Sequence, residues 1–393
     1  MKNGKIPRIL MISHDASRTG APLVLLHLAR WLVENARVSP SFLLKEDGEL
    51  ADDFRALGPV WIWQGSSGGK GIGSRIIRRL GRTNIVKSIR ETLLRARIRP
   101  LQFELVYSNT IANGEVLTFL RHPRVITHVH ELGNTIRNLG ERNLLQVSRH
   151  SSFFIAVSEG VKKAVMEAAG IEEARIRVIP PFVIPGMQQG INPEEMQRQL
   201  GIGKDTVVIG GSGNTDWRKG ADLFVALAGK LSARYPGRKF LFVWVGQNGL
   251  GVEAFYQGLL YDIKLLGLED RFRFTGMVTN PYDYYRLFDF FILSSREDPF
   301  PLVALENCLL EKVVVCFRGT GGIPEFLQEG EGIIVPYMDL DEAADRIGHC
   351  LADPGLATEM GRAAASRVKE VNDYDRICRQ ICDTIYVQSG FGD

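Results

Sequence analysis

The sequence predicts an α/β protein composed of two domains, each built on a parallel sheet. Short apolar runs alternate with longer amphipathic stretches, as expected for strands joined by crossover helices. The 393 residues exceed the length of one ordinary domain. A stretch containing Pro, Gly and Gln, Pro180–Asn192, separates two series of such runs and predicts an interdomain linker.

The first series begins with the apolar run Arg8–Ser13, which we interpret as a strand and not as part of a cleaved leader peptide. A loop at His14–Pro22 and a helix at Leu23–Asn35 follow this strand. The remaining strands predicted in this half are Ser41–Leu44, Leu105–Tyr107, Val125–His128, Phe153–Val157 and Val178–Ile179.

The second series contains further predicted strands, which helical segments separate. These strands are Thr206–Gly210, Phe240–Val245, Phe272–Thr275, Phe290–Ser294, Val313–Cys316 and Gly332–Val335. A helical pattern then covers Ala363–Val387. The two halves are therefore predicted to share the same α/β architecture, although their sequences are not repeats of each other.

The composition indicates a cytoplasmic protein. No apolar run reaches the roughly 18 residues that a membrane helix needs. The 5 cysteines are an odd number and all lie in the last quarter of the chain, which favours reduced thiols over a disulfide framework. Residues 1–185 carry 27 Lys and Arg against 16 Asp and Glu, so this basic half suits an anionic partner.

A basic amphipathic stretch covers Lys70–Arg99. It contains 10 Lys and Arg and a single acid, Glu91, interleaved with isoleucine and leucine. Such a stretch can lie on an anionic bilayer, bind an anionic acceptor, or form a solvated helix face that packs through its apolar side. The first alternative predicts peripheral association with the inner face of the cell membrane.

Two acids follow the fourth predicted strand of the second half. Asp298 lies in the loop after this strand, and Glu306 lies one to two turns into the helix that begins near Pro301. Ligands of open α/β sheets bind at the carboxyl ends of strands. Carboxylates there can accept hydrogen bonds from sugar hydroxyls, each contributing about 1.5–3 kcal/mol. Taken singly, each acid also fits a helix cap or a solvated helix position.

The string Asp298–Glu306, DPFPLVALE, resembles the motif of the retaining nucleotide-sugar glycosyltransferases of family 4. That motif has two glutamates separated by seven residues, with Pro, Phe, Leu and Val between them. Asp298 replaces the first Glu and Pro301 replaces a Gly. Gly319–Glu325 falls where the family has its glycine-rich loop before a helix, which suits an anion.

The resemblance implies the GT-B fold, with two Rossmann-like domains that face each other across a cleft. The implied domains are an acceptor-binding domain at 1–185, a donor-binding domain at 186–365 and a C-terminal helix at 366–393 that packs back on the first domain. Asp298 would then contact the donor sugar near its reacting carbon, and Glu306 would bind the ribose. The other implied donor-binding residues are Gly20, Arg218, Lys219, Met277, Val278, Phe300, Pro301 and Leu302.

A basic pair, Arg218-Lys219, precedes Gly220 and an amphipathic helix. Fixed cations at this position can stabilise the charge that develops on a departing diphosphate without a metal ion. The family places a Lys-Gly here and an Arg five residues earlier, where this chain has Asn214. The alternative is a solvated basic turn. A dinucleotide fingerprint is disfavoured because Asp216 occupies the position of its third glycine.

No catalytic metal is predicted. The Asp-x-Asp pairs at Asp339–Asp341 and Asp373–Asp375 do not end a strand of the first half, and Asp339 and Asp341 suit the cap of the next helix.

Polar residues also end two predicted strands of the first half. His130 and Glu131 follow the strand Val125–His128, where the family has a His-Asp or His-Glu whose imidazole borders the donor sugar. The resemblance therefore implies that His130 is catalytic together with Asp298 and Lys219. Asn109 ends another strand and, with His130 and Glu131, would line the acceptor side. A lone histidine also suits a structural position.

The resemblance thus implies a metal-independent, retaining transfer of a sugar from a nucleoside diphosphate sugar to a glycan or lipid-linked acceptor. Surface-polysaccharide assembly is the expected context, with no cofactor besides the donor and no nucleic-acid partner. Two alternatives stay open. One is another GT-B enzyme, such as a nucleotide-sugar epimerase or a phosphorylase, and the other is a non-catalytic nucleotide-sugar-binding subunit.

Overall fold

The chain forms two compact units in a computed structural model that describes residues 6–63, 92–98, 101–184, 186, 192–246 and 253–391. One unit comprises Met1–Pro180 and Asp375–Asp393, and the other comprises Pro181–Tyr374. The boundaries therefore fall at 180/181 and 374/375, compared with 185/186 and 365/366 in the sequence prediction. None of the described helices combines the length and the apolar composition of a membrane span.

The first unit contains a parallel sheet with the strand order β3-β2-β1-β4-β5-β6-β7. Its strands are β1 Arg8–Ser13, β2 Ser39–Leu44, β3 Val60–Ile62, β4 Leu105–Ser108, β5 Val125–Val129, β6 Phe153–Ala156 and β7 Ile176–Val178. Its labelled helices are α1 Gly20–Glu34, α2 Ala51–Leu57, α3 Gly114–Leu120, α4 Gly133–Asn138, α5 Glu141–His150 and α6 Glu159–Ala169. Residues 92–98 are also helical.

The second unit contains a parallel sheet with the order β10-β9-β8-β11-β12-β13. Its strands are β8 Thr206–Ser212, β9 Lys239–Val245, β10 Phe272–Phe274, β11 Phe290–Leu293, β12 Val313–Phe317 and β13 Ile333–Val335. Its helices are α7 Pro193–Leu200, α8 Ala221–Arg234, α9 Glu253–Leu265, α10 Tyr282–Tyr285, α11 Leu302–Leu309, α12 Gly322–Phe326, α13 Leu340–Ala352 and α14 Pro354–Val371. A last helix, α15 Tyr374–Ser389, begins at the end of this unit.

Apolar side chains cover both faces of each sheet, as expected for parallel strands buried between helices. In β1, Ile9–Ile12 are fully buried on both faces. In the second unit, one apolar cluster includes Phe224 and Trp244, and another includes Phe288 and Phe291. A Cβ atom on Gly210 of β8 would lie 2.1 Å from the Phe288 ring, so this strand needs glycine where it passes the ring.

Helix α15 packs within the first unit through side-chain hydrogen bonds. The Trp31 indole N–H donates to Asp375 (2.6 Å), and the Tyr386 hydroxyl donates to the carbonyl of Arg37 (2.7 Å). The helical pattern predicted over Ala363–Val387 is divided between two helices, because α14 ends at Val371 and α15 begins at Tyr374. Asn372 and Asp373 interrupt an otherwise continuous apolar pattern.

Each sheet has a point where the strand order reverses, between β1 and β4 in the first unit and between β8 and β11 in the second. Helices leave the neighbouring strands to opposite faces at such a point, which opens a crevice outside the carboxyl ends of the strands. The loops after these strands are therefore the physically favoured positions for ligands, and they contain most of the residues singled out in the sequence.

Candidate active site

Main-chain hydrogen bonds join the loops that follow β8, β11 and β12. The amide of Arg296 donates to the carbonyl of Arg218 (2.8 Å), and the amide of Asp298 donates to the carbonyl of Thr320 (2.7 Å). Gly220 has a φ of +69°, and a Cβ atom there would lie 2.0 Å from the carbonyl oxygen of Ser294. Three loops that are distant in sequence are thus fixed to one another, so their side chains project from a rigid frame.

An ion pair joins two of the predicted donor-binding residues. The Lys219 Nζ lies 2.5 Å from Asp298 Oδ2, and their side chains are 13% and 8% exposed. The Ser295 hydroxyl donates a second hydrogen bond to Asp298 Oδ2 (3.2 Å). A buried carboxylate requires such partners because its desolvation is otherwise unfavourable. Asp298 is therefore not a helix cap, and the N-cap position of α11 is occupied by Pro301.

Arg218 and Lys219 are adjacent in the chain but have different partners. The Arg218 guanidinium donates to the carbonyl of Glu297 (3.1 Å), whereas Lys219 faces Asp298. The Lys219 amide is anchored by Asp216, whose carboxylate accepts it at 2.8 Å. Both cations therefore lie against the loop after β11, and Asp216 has a structural role in this turn.

Glu306 lies on α11 and is half-buried. Loss of hydration raises its pKa to about 7, although a hydrogen bond from the Tyr282 hydroxyl opposes this shift. Tyr282 belongs to α10, and its side chain is buried. Glu306 is thus not a freely solvated helix residue, since a tyrosine from another element holds its carboxylate.

A second tyrosine of α10 connects this carboxylate to the end of β8. The Tyr285 hydroxyl and Ser212 Oγ are 2.8 Å apart, and the charge of Glu306 raises the pKa of Tyr285 further beyond the rise that burial causes. The rings of Tyr282 and Tyr285 lie 5.8 Å apart at 70°. Glu306 is therefore linked through two tyrosines to the strand that precedes the Lys219 loop.

The loops after β8 and β9 lie so close together that there is no room for a side chain between their backbones. Gly246 has a φ of +144°, and a Cβ atom there would lie 2.0 Å from the carbonyl oxygen of Gly213. Gly246 also pairs with Gly276, which follows β10. Bare backbone at a strand end leaves room for a ligand to approach the chain closely.

The remaining predicted donor-side residues lie on the same edge of this sheet. Met277 follows Gly276 and is 78% exposed, while Val278 packs against the apolar cluster beneath it. Phe300 lies 5.9 Å from Phe326, between centroids, and a Cβ atom on Gly322 would overlap its ring. Pro301 is buried and Leu302 begins α11, so both shape the entry to the Glu306 helix.

The first unit brings Asn109, His130 and Glu131 together. The Asn109 amide donates to the carbonyl of Ala21 (2.6 Å), which places its Oδ1 3.2 Å from His130 Nε2. The Glu131 carboxylate accepts the amides of His130 (3.0 Å) and Ile111 (3.3 Å) and the hydroxyl of Thr110. Burial raises the pKa of Glu131, while these hydrogen bonds oppose the shift.

His130 is held as the neutral imidazole. Burial and the neighbouring His14 lower its pKa to about 3. Because Asn109 presents its carbonyl oxygen, His130 carries its proton on Nε2 and leaves Nδ1 as an acceptor. The His128 ring lies 4.1 Å from the His130 ring, between centroids, and the Tyr107 hydroxyl lies 2.6 Å from His128 Nδ1. This arrangement fixes the orientation of His130 at the end of β5.

Gly20 begins α1, three residues before the predicted start of that helix, and a Cβ atom there would meet nothing within 4 Å. The carbonyl of its neighbour Ala21 accepts the Asn109 amide, so the loop after β1 is tied to the end of β4. Gly20 therefore lies beside the Asn109 cluster, in open space. The structure groups the predicted residues into two clusters, one in each unit.

Several residues of these clusters were missed in the sequence. They are Ser212, Asp222, Tyr282, Tyr285, Ser295 and Arg296 in the second unit, and Tyr107, Thr110 and His128 in the first. Except for Ser295, which bonds Asp298 three residues later, their partners are at least 21 residues away, so no local pattern predicts the contacts. The one available signal was position, because Ser212 and Ser295 lie at or just after the carboxyl ends of predicted strands.

All 5 cysteines are buried free thiols. Within the residues that the structure describes, no three His, Cys, Asp or Glu side chains are grouped so that they could hold a metal ion. Asp339 caps α13 by accepting the amide of Glu342 (2.9 Å), while Asp341 pairs with Lys230 (2.8 Å). The predicted capping role is thus confirmed for Asp339, and Asp341 instead binds a lysine of α8.

Two family models match consecutive parts of the chain. The model described as Glycosyltransferase Family 4 matches residues 19–185, and the model described as Glycosyl transferases group 1 matches residues 192–367. Together they cover most of the chain and both clusters. With its two parallel-sheet units, the chain has the α/β GT-B fold, and it belongs to the family 4 glycosyltransferases.

Solved structures with this fold superpose on nearly the whole chain. Anabaena Alr3699/HepE in complex with UDP and glucose is 21% identical, has a TM-score of 0.76, and covers 97% of this chain and 100% of its own. Sucrose-phosphate synthase from Thermosynechococcus elongatus is 19% identical with a TM-score of 0.77, covering 98% and 100%. At these identities the similarity establishes the fold alone.

Curated relatives are more similar in sequence over shorter stretches. A D-inositol 3-phosphate glycosyltransferase of Kribbella flavida is 26% identical over 59% of this chain and 55% of its own length. One from Acidothermus cellulolyticus is 30% identical over 52% and 46%. A lipopolysaccharide core biosynthesis mannosyltransferase of Rhizobium leguminosarum is 29% identical over 41% and 46%. The chain thus spans about half the length of these relatives.

Proposed function

We propose that this glycosyltransferase moves a sugar from a nucleoside diphosphate sugar to a hydroxyl group of a glycan or lipid-linked acceptor, with retention of configuration. The observation that carries the proposal is the Lys219–Asp298 pair, in which a largely buried cation and a buried carboxylate are fixed against each other at the carboxyl edge of the second sheet. The donor consists of a diphosphate that leaves and a sugar that is transferred. A donor site therefore needs a cation for the diphosphate and a carboxylate for the sugar hydroxyls.

Lys219 can serve both parts of the donor. An ammonium group has three donors, and Asp298 occupies one of them. The others remain for phosphate oxygens, where a fixed cation stabilises the charge that develops as the sugar leaves. Arg218 adds positive charge from the same turn. These cations supply the electrostatic stabilisation that a divalent metal supplies elsewhere, which supports a metal-independent reaction.

Glu306 would bind the ribose. Its carboxylate is half-buried and held by Tyr282, so it is oriented before the donor arrives. Two vicinal hydroxyls can donate to the two oxygens of one carboxylate. The exposed Met277 and its neighbour Val278 lie in the loop after β10 and would lie beside the base, as the family resemblance implies.

The first unit would supply the acceptor side. His130 is neutral, and its Nδ1 can accept a hydrogen bond from a sugar hydroxyl. The acceptor hydroxyl would attack from the face that the diphosphate leaves, and the diphosphate would take the proton of that hydroxyl. A bond forms between the acceptor oxygen and the sugar carbon as the bond to the phosphate oxygen breaks.

The test compares variants of the cluster with a matched surface lysine. Lys219→Ala and Glu306→Ala should each lower release of UDP from UDP-glucose, or from whichever donor stabilises the protein, by about 10- to 100-fold, since each removes a charged contact of about 1.5–3 kcal/mol. Lys230→Ala, which breaks an exposed pair with Asp341, should leave the rate unchanged. Wild-type rates in Lys219→Ala or Glu306→Ala would refute the proposal.

The alternatives give different products. A non-catalytic subunit would bind the donor without turnover, and an epimerase would convert the donor without an acceptor. The proposed membrane contact of residues 70–99 lies largely outside the described residues, since 64–91 and 99–100 are not among them. That contact, the cytoplasmic location and a role in surface-polysaccharide assembly remain part of the proposal.

A further inference from the structure

The loop after β8 presents an exposed tryptophan. Trp217 is 54% exposed, two residues before Lys219. The other tryptophans, Trp31, Trp61, Trp63 and Trp244, are buried or half-buried. A single exposed apolar side chain is common on protein surfaces. The exposure of Trp217 therefore indicates a binding surface only if other residues hold the ring in place.

A buried guanidinium fixes the Trp217 ring. The Arg296 Cζ lies 4.9 Å from the ring centroid, and its Nη1 donates to the Trp217 carbonyl (2.7 Å). Asp222 accepts two parallel hydrogen bonds from the same guanidinium, at 2.9 and 2.7 Å, and the Arg296 side chain is 9% exposed. One face of the indole is therefore covered by a fixed cation, while about half of the Trp217 side chain stays exposed.

The ring and the two charged groups that hold it make up one surface. Trp217 contributes the exposed ring, Arg296 the guanidinium against it, and Asp222 the carboxylate that fixes this guanidinium. We name Trp217, Arg296 and Asp222 the aromatic platform. A second exposed aromatic residue, Tyr337, follows β13 and is 53% exposed.

The chemistry of the aromatic platform fits a saccharide. The face of an aromatic ring is electron-rich, and a pyranose presents a face of C–H groups with hydroxyls around its edge. The carboxylate of Asp222, which is 32% exposed, borders the Trp217 ring and can accept hydrogen bonds from such hydroxyls. An apolar protein partner would need a much larger patch. Fixed rings also lose little conformational entropy on binding.

We propose that the aromatic platform binds sugar rings of a glycan chain. It would hold the chain beside the loop that carries Lys219, and it would do so without the donor. The inference does not rest on the transfer reaction, because a non-catalytic protein could bind a glycan through the same surface. A saccharide is the expected ligand because the aromatic platform combines an apolar ring face with charged groups at its rim.

The experiment measures saccharide binding by the full chain without donor. Maltohexaose, cellohexaose and an α-1,6-linked mannohexaose are titrated while tryptophan fluorescence and heat are recorded. At least one should bind and alter the emission of the exposed Trp217. Trp217→Ala should weaken that binding by about tenfold or more, and Trp217→Phe should retain part of it. Arg296→Lys keeps the positive charge but loses the bidentate hydrogen bond to Asp222, so it should weaken binding several-fold.

Tyr261→Ala is the matched control, because Tyr261 is 64% exposed on α9 and should not affect binding. Unchanged melting temperatures confirm that each variant is folded. The inference is overturned if none of the three hexaoses binds, or if Trp217→Ala binds as well as the wild type. Displacement of the hexaose by UDP would place it in the donor pocket and would equally reject the aromatic platform.

Discussion

Asp298 differs from the family's glutamate by one methylene, and the structure shows a consequence of the shorter side chain. Its carboxylate is held at 2.5 Å from Lys219, and its backbone pairs with Gly321. The loop after β12 therefore brings the backbone of Asp298 to the ion pair, so the shorter acid still reaches Lys219. Asp298 and Lys219 act as one unit, and a change in either alters both.

Asp298→Asn should test this unit, because it keeps the shape and removes the charge. Lys219 would then lack its carboxylate partner while remaining mostly buried, so its ammonium group would be less firmly placed for the diphosphate. We expect kcat to fall about 10- to 100-fold, in line with the 1.5–3 kcal/mol of a charged hydrogen bond. Steady-state kinetics measures it, and an unchanged kcat would contradict the role of the pair.

Glu306 should make donor affinity depend on pH near neutrality. Burial raises its pKa to about 7, and the carboxylate form is the one that accepts two hydroxyls. Affinity should therefore rise as the pH increases from 6 to 8. Tyr282→Phe removes a hydrogen bond that lowers this pKa, so the midpoint should move to higher pH. Calorimetric titration with UDP across this range measures the shift, and identical midpoints in both proteins would exclude it.

At the scale of residues, the sequence singled out side chains that the structure places on one edge of the second sheet, but it did not predict their partners. The spacing of Asp298 and Glu306, and the basic pair before Gly220, identified four residues on this edge. The ion pair between Arg296 and Asp222 could not be predicted, because 74 residues separate the two and neither belongs to a recognisable motif. The hydrogen bond from Tyr282 to Glu306 could not be predicted for the same reason.

At the scale of elements, Gly220 is the point where α8 is locked against β11. Its φ of +69° is unfavourable for any side chain, and a Cβ atom would overlap the Ser294 carbonyl. Gly220→Ala should therefore lower the free energy of unfolding by about 2 kcal/mol or more. Denaturant unfolding measures it. Gly237→Ala is the control, since a Cβ atom there meets nothing within 4 Å, and equal losses in both variants would contradict the packing argument.

Strongly apolar strands were predicted well, whereas one short edge strand, β3, was missed. The predicted Arg8–Ser13 is β1 to the residue, and Phe240–Val245 differs from β9 by one residue. By contrast, β3 at Val60–Ile62 was missed because three half-buried residues at a sheet edge show no distinctive pattern. Burial on both faces produces the continuous apolar runs that make central strands recognisable.

At the scale of the whole molecule, each unit positions its cluster of polar residues where the strand order of its sheet reverses. The Asn109–His130–Glu131 cluster follows strands next to the reversal between β1 and β4, and the Lys219–Asp298 pair follows the strands at the reversal between β8 and β11. The doubly wound sheet dictates where ligands can bind but not which ligands. Alternating apolar runs could therefore predict the architecture, whereas the chemistry had to be inferred from the loops.

Hydrogen exchange can show whether both clusters serve one ligand. UDP contains the diphosphate and ribose but lacks the sugar to be transferred, so it should protect amides of residues 213–220 and 294–306 and leave residues 128–131 unchanged. A non-hydrolysable UDP-sugar should additionally protect residues 128–131 if His130 contacts the sugar. Ligand at about 100 times its Kd adds about 2.7 kcal/mol of stability, enough to slow exchange measurably. Protection confined to the second unit with both ligands would separate the two clusters and remove His130 from the reaction.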